Sequence, residues 1–175
     1  MKTETTQTST RAAPNSAPLW ATLVATFFGI GRLRPGPGTW GSLSAVLIWL
    51  AVSRWITPSS QVLVLAALAA IAVILGIPAA TRVANASGVK DPQFVVIDEV
   101  AGQWVALLFA PVSWKTLLAG FILFRGFDIV KSPPVQQLEK LPDGTGIVLD
   151  DIAAGAFALA VMQLLLHFGL LSNRF

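Results

Sequence analysis

The sequence predicts an all-α protein, a polytopic membrane helical bundle with about five main apolar helices. Hydrophobic residues make up 54% of the 175 residues, charged residues only 12%, and the mean hydropathy is +0.70. An average soluble domain is about one quarter charged, so this chain has too little polar surface for that class. Its apolar stretches approach or reach the roughly 20 residues that cross a bilayer, and none alternates as a β-strand does.

The chain divides into a short tail and one domain. Residues 1–18 are rich in Thr, Ser and Pro and are predicted to form a disordered N-terminal tail, with residues 19–175 forming a membrane-embedded domain. The stretch 19–30 is apolar but too short to span, and the Gly- and Pro-rich segment 29–43 is predicted to be irregular. The main apolar stretches after it are 43–56, 61–80, 94–110, 114–129 and 152–171.

The charged residues are distributed unevenly along the chain. If all five main stretches cross the membrane, the tail and the loops 29–41, 81–93 and 130–150 share one side. With the adjoining segment ends, that side carries nine of the twelve Lys and Arg, so the positive-inside rule places it in the cytoplasm. Eight of the nine acidic residues also lie on or near it. Polar groups from separate segments are therefore predicted to meet at one membrane face.

The composition excludes several classes of function. The chain has no Cys, which excludes disulfide scaffolds, thiol nucleophiles and zinc–thiolate sites. The net charge is only +3 and the basic residues are scattered, so nucleic acid is not expected as a partner. His167 is the one histidine and lies in the last apolar stretch, far along the chain from the acidic residues.

Two pairs of adjacent acids stand at the edges of apolar stretches. Asp98 and Glu99 lie near the start of one stretch, and Asp150 and Asp151 directly precede another. Such carboxylates are costly to desolvate unless they bind a cation, and their hard oxygens suit Mg²⁺ or Mn²⁺. The alternatives are that the first pair faces water at a helix start and that the second pair caps a helix.

Two further patches can bind an anion. Arg125, Asp128 and Lys131 are spaced at i, i+3 and i+6, along one side of a helix. This row suits a metal ligand flanked by phosphate-binding cations, and its alternative is a salt-bridge ladder. The segment around Gly38 and Thr39 offers backbone N–H groups and a hydroxyl to phosphate oxygens. Its alternative is a plain turn in which Thr39 or Ser42 caps the next helix.

Together the four patches contain what metal-assisted hydrolysis of a phosphate ester requires. The candidate Mg²⁺ ligands, one of which could act as a base, are Asp98, Glu99, Asp128, Asp150 and Asp151. The candidate phosphate-binding groups are Arg125, Lys131, Gly38 and Thr39. Arg32 and Arg34 could also bind an anionic group.

These patches coincide with four motifs, which are PGTWGSL (37–43), DPQFVVIDEVAGQW (91–104), FRGFDIVK (124–131) and GIVLDDIAAG (146–155). In order and spacing they resemble the signature stretches of the phosphatidylglycerophosphatase A family, over about residues 19–171. The resemblance implies a lipid phosphatase of the bacterial inner membrane that converts phosphatidylglycerophosphate to phosphatidylglycerol with Mg²⁺, within phospholipid biosynthesis. The chain departs from the family pattern at two loop positions, Gly36 and Ser132, neither of which carries ionisable chemistry.

Two alternatives to this function differ in their chemistry. A small ion- or proton-coupled transporter would also place carboxylates in apolar segments, but near their centres, whereas the acid pairs here stand at segment starts. A phosphatase or phosphotransferase of another lipid phosphate would share the same ligands. The Asp-Gly-x-x-Ala-Arg motif associated with alcohol phosphotransferases of phospholipid synthesis is absent.

Overall fold

A computed structural model describes residues 16–130, 137–138 and 141–171. Within them the regular structure is helical throughout, which confirms the all-α prediction. The elements are α1 (Leu19–Ala25), a 3₁₀ turn (Ile30–Arg32), α2 (Pro37–Val52), α3 (Pro58–Ser87), α4 (Ile97–Ala106), α5 (Trp114–Val130) and α6 (Asp143–His167). Most of the predicted tail (residues 1–15) and Lys131 lie outside the described residues.

Two helices, α3 and α6, are long and apolar enough to cross a membrane. α3 has 30 residues and exposes large apolar side chains such as Leu63 and Ile74, which are 74% and 68% exposed. The prediction of about five main apolar helices is not confirmed. Helices α2, α4 and α5 have 16, 10 and 17 residues, below the roughly 20 that a crossing requires.

The Gly- and Pro-rich segment 29–43 is helical over its second half, so the prediction that it is irregular was wrong there. α2 begins at Pro37, because proline's fixed φ and missing N–H suit the first helical position. Gly41 serves close packing, since a Cβ there would lie 2.9 Å from the Cβ of Val96. No side chain caps α2, so capping by Thr39 or Ser42 is also wrong.

Helix α3 continues through Pro78 and beyond residue 80, where the apolar stretch was predicted to end. Proline removes the helical hydrogen bond to the carbonyl four residues before it, and two side chains of the next turn add hydrogen bonds to other carbonyls nearby. The Thr81 hydroxyl donates to the carbonyl of Ile77 at 2.8 Å, and the Arg82 guanidinium donates to that of Pro78 at 3.2 Å. The helix ends only before Gly88, which has a left-handed φ of 69°.

Helix α6 begins at Asp143, more than two turns before the predicted start of the last apolar stretch. A contact with α3 stabilises these added turns. The Gly144 N–H donates to the Thr81 hydroxyl at 3.0 Å, and a Cβ on Gly144 would lie 2.6 Å from the backbone nitrogen of Thr81. Asp150 and Asp151 therefore lie inside the helix, and the alternative that they cap its start is wrong.

Helix α4 is the centre of the bundle and packs against α2, α3, α5 and α6. Eight of its ten residues are buried. The Trp104 indole N–H donates to the carbonyl of Ala45 on α2 at 3.0 Å, and the Val96 N–H donates to the carbonyl of Ala25 at 2.8 Å. The first turn of α4 is thus held in place from several sides.

Candidate active site

Two glycines bring α4 and α6 into backbone contact next to the acidic residues. A Cβ on Gly102 would lie 2.5 Å from the backbone oxygen of Asp151, and a Cβ on Gly155 would lie 3.1 Å from the carbonyl carbon of Gly102. Any larger side chain would separate the two helices. The first turn of α4, which carries Asp98 and Glu99, therefore lies close to the third turn of α6.

This contact assembles a cluster of three carboxylates. Asp98, Glu99 and Asp151 each offer one oxygen, and the three oxygens lie within 4.8 Å of one another. Asp98 and Asp151 are 7% and 4% exposed, and the Glu99 side chain is 15% exposed. The alternative that the first pair simply faces water does not agree with this burial.

The cluster contains oxygen atoms that the described part of the chain leaves without a hydrogen-bond donor. They are Asp98 Oδ1, Glu99 Oε2 and Asp151 Oδ2, and each is fully buried. An unpartnered buried polar atom costs about 1–3 kcal/mol, and more if it is charged. Each of the three clustered carboxylates therefore has an oxygen available, as the hard ligands of a divalent cation require.

Electrostatics in the first turn of α4 agree with this interpretation. Burial raises the pKa of Asp98 well above its ordinary value, and the neighbouring Glu99 raises it further. Burial likewise raises the pKa of Glu99 to about 8, with the charge of Asp151 adding to the effect. Without a cation these shifts favour the protonated carboxyl groups, and a bound metal would displace those protons.

A guanidinium group stands next to the cluster. Arg125 Nη1, near the end of α5, hydrogen-bonds to Asp128 Oδ2 and lies 3.9 Å from Glu99 Oε1. Its Nε is buried and has no partner among the described atoms. Arg125 is thus held between two carboxylates with a donor still unused, which is a suitable arrangement for an incoming phosphate.

One cavity of about 340 Å³ joins all four sequence patches. The lining residues that carry charge are Asp91, Asp98, Glu99, Arg125, Asp128, Asp150 and Asp151. Asp128 and Asp150 line the cavity but do not belong to the three-carboxylate cluster. Asp150 Oδ1 accepts a hydrogen bond from the Asp151 backbone N–H at 3.0 Å.

Gly38 and Thr39, which were both predicted to bind phosphate, differ in their placement. Gly38 lines the cavity from the first turn of α2, and a Cβ there would overlap the Glu99 carboxylate and lie 3.1 Å from Arg125 Nη1. Thr39 is exposed and does not line the cavity. The structure therefore brings Gly38, and not Thr39, to the acidic cluster.

Two polar residues that line the cavity were not predicted as site residues, and neither was a third polar residue that is buried in α4. Asp91 and Gln93 line the cavity from the turn before α4. Gln103 is fully buried, and neither its Oε1 nor its Nε2 has a partner among the described residues. The sequence carried a signal for Gln103, since it lies at i+4 from Glu99 on the same side of a helix.

The fold and the site together define a class of protein. Converging hard oxygen ligands next to an arginine in a partly enclosed cavity are the features of a phosphatase that uses a divalent cation.

Comparisons with known proteins identify the family. The family model of phosphatidylglycerophosphatase A matches residues 23–166. Phosphatidylglycerophosphatase A of Escherichia coli is 31% identical over 83% of this chain and 83% of its own length, and that of Haemophilus influenzae is 35% identical over 80% and 85%. A putative phosphatidylinositol-3-phosphatase of Bacteroides thetaiotaomicron is 36% identical over 80% and 89%. No solved structure matches the chain.

The chain therefore belongs to the phosphatidylglycerophosphatase A family, which confirms the resemblance of its four motifs. It is an enzyme that acts as a phosphatase on a phosphate monoester.

Proposed function

We propose that this protein hydrolyses the terminal phosphate of phosphatidylglycerophosphate to give phosphatidylglycerol and phosphate, as a step of phospholipid biosynthesis. The observation that carries the proposal is the single cavity in which three buried carboxylates stand next to Arg125. Relatives in two bacteria are named as phosphatidylglycerophosphatases, which supports this choice of substrate.

Asp98, Glu99 and Asp151 are the residues proposed to hold Mg²⁺, because their carboxylates converge and each has a buried oxygen without a partner. Asp128 and Asp150 line the same cavity and complete the proposed set of ligands. A bound Mg²⁺ would supply a Lewis acid that neutralises charge on the phosphate oxygens.

Arg125 would donate hydrogen bonds to the phosphate and stabilise its negative charge as the ester bond breaks. The backbone around Gly38, which lines the cavity, is proposed to bind further phosphate oxygens. Lys131 is proposed for the same role from its spacing to Arg125 in the sequence. The nucleophile would be either water, whose proton a carboxylate of the cluster accepts, or a carboxylate itself, which forms an aspartyl-phosphate intermediate that water then hydrolyses. In both routes the leaving glycerol oxygen takes its proton from a protonated carboxyl group of the site.

We propose further that the enzyme is a multi-pass protein of the bacterial inner membrane with its active site facing the cytoplasm. The length and apolar composition of α3 and α6 support membrane insertion. The excess of Lys and Arg in the segments that adjoin the site supports the cytoplasmic orientation. Lipid substrate would reach the cavity sideways from the bilayer.

Phosphate release from phosphatidylglycerophosphate by the purified protein tests the proposal. We expect release with Mg²⁺, none with a chelator, and a loss of at least 100-fold in Asp98→Asn. Asp143→Asn is the matched control, because Asp143 is an exposed acid of α6 outside the cavity and asparagine tolerates its left-handed backbone. Release that neither the chelator nor Asp98→Asn reduces would refute the metal-dependent mechanism.

A second candidate substrate is a phosphorylated inositol lipid. The supporting observation is the Bacteroides relative named as a putative phosphatidylinositol-3-phosphatase. Comparing kcat/KM for the two lipids in the same detergent distinguishes the candidates. A higher value for phosphatidylinositol 3-phosphate would replace the first assignment by the second.

A further inference from the structure

A second and larger groove adjoins the active-site cavity. It encloses about 900 Å³ and shares four lining residues with the cavity, which are Gly36, Pro37, Asp91 and Gln93. A ligand long enough to extend past this shared wall would therefore occupy both spaces at once.

Two arginines give the groove its charge. Arg32 ends the 3₁₀ turn and Arg34 follows two residues later, and both line the groove and are exposed to solvent. Neither forms a salt bridge with another residue of the described segments. Asp91 is the one acidic residue in the lining, so the groove carries a net positive charge.

Apolar side chains accompany these arginines. Val89 and Phe94 line the groove and are 52% and 37% exposed, and Leu33, between the two arginines, is 48% exposed. Exposed apolar side chains interleaved with cations are typical of surfaces that contact lipid headgroups and the adjoining acyl region.

We infer that Arg32 and Arg34 bind the phosphodiester of the lipid substrate while its phosphomonoester occupies the acidic cavity. This inference rests on the proposed function. Phosphatidylglycerophosphate has a phosphodiester between its diacylglycerol and its glycerol headgroup, and the monoester stands at the far end of that glycerol. Guanidinium groups suit phosphate oxygens because they donate two parallel hydrogen bonds.

The arrangement selects among lipid phosphates. A lipid with both a diester and a distal monoester, which includes phosphorylated inositol lipids, engages both spaces. Phosphatidic acid carries its monoester directly on diacylglycerol and has no diester for the groove. Arg32 and Arg34 are thus specificity-determining residues, and they act on binding more than on the chemical step.

Steady-state kinetics of the double variant Arg32→Gln/Arg34→Gln tests the inference in mixed micelles. We expect kcat/KM for phosphatidylglycerophosphate to fall roughly ten- to hundredfold, mostly through a higher KM. Activity on phosphatidic acid should change less than about twofold. Arg54→Gln is the matched control, because Arg54 is exposed and does not line the groove or the cavity.

Calorimetric binding of glycerophosphoglycerol, a soluble phosphodiester without a monoester, gives a readout separate from activity. We expect the chelated wild-type protein to bind it and the double variant to bind it at least tenfold more weakly. An unchanged KM and unchanged binding in the double variant would overturn the inference and leave the proposed function intact. A wild-type protein that releases no phosphate but binds the diester through these arginines would overturn the function alone.

Discussion

Replacing Gly38 by alanine should disable the site without unfolding the protein. A Cβ there would overlap Glu99 Oε1 and lie 2.9 Å from Glu99 Cδ and 3.1 Å from Arg125 Nη1, whereas ordinary contacts begin near 3.4 Å. The carboxylate carbon must therefore retreat by about half an ångström, and the oxygen by more. Because misplacing a reacting group by about 1 Å can cost about 100-fold, we expect kcat/KM to fall roughly ten- to hundredfold.

Phosphate release and thermal unfolding, measured on the same preparation, separate the two effects. Alanine is a better helix former than glycine by about 1 kcal/mol, so the melting temperature should not fall. Gly126→Ala is the matched control, since a Cβ on Gly126 would meet nothing within 4 Å. Wild-type activity in Gly38→Ala would refute the steric argument, and so would equal losses in the two variants.

Three further predictions concern the acidic cluster and the helix contact that forms it. In chelator at pH 9, Asp151→Asn should raise the melting temperature, because it relieves repulsion within the cluster. With Mg²⁺ present, the same variant should lose the stabilisation that the metal gives the wild type. Calorimetry without and with Mg²⁺ measures both effects. The pKa of Glu99 is raised from 4.5 to about 8, so the folded state binds a proton that the unfolded state releases. In chelator, the free energy of unfolding should therefore fall by up to about 1.4 kcal/mol per pH unit between those two values, and Mg²⁺ affinity should rise over the same range. Denaturation and metal titrations at several pH values test this, and no change with pH in either would contradict it. Gly155→Ala should destabilise the fold by about 1–3 kcal/mol, because its Cβ would overlap the rigid backbone of Gly102, and an unchanged unfolding midpoint in denaturant would contradict this.

The sequence predicts the chemistry of the site better than it predicts which residues come together in it. Acids are costly in apolar surroundings, so the adjacent pairs at Asp98 and Asp150 predict bound cations from the sequence alone. The structure places both pairs in one cavity, but only Asp98, Glu99 and Asp151 have oxygens that converge. Which members of a pair converge depends on the rotation of α4 against α6, and no local pattern encodes that rotation.

The errors in the fold have one physical origin. Segment 29–43 was predicted to be irregular and 130–150 to be a loop, but Pro37 and Gly41 lie in α2 and Gly144 lies in α6. Gly41 and Gly144 permit close contacts between helices, which outweigh the low intrinsic helix propensity of glycine. Such contacts join distant segments, so a local reading of the sequence cannot detect them.

The pairing of Arg125 with Asp128 also affects what happens after the reaction. Asp128 acts as an internal counter-anion to Nη1 of the guanidinium, while the buried Nε keeps a free donor. A phosphate group that binds Nε therefore meets a guanidinium whose charge is already partly balanced. Because Asp128 already balances part of this charge, we expect free inorganic phosphate to bind Arg125 weakly and to leave readily after each turnover.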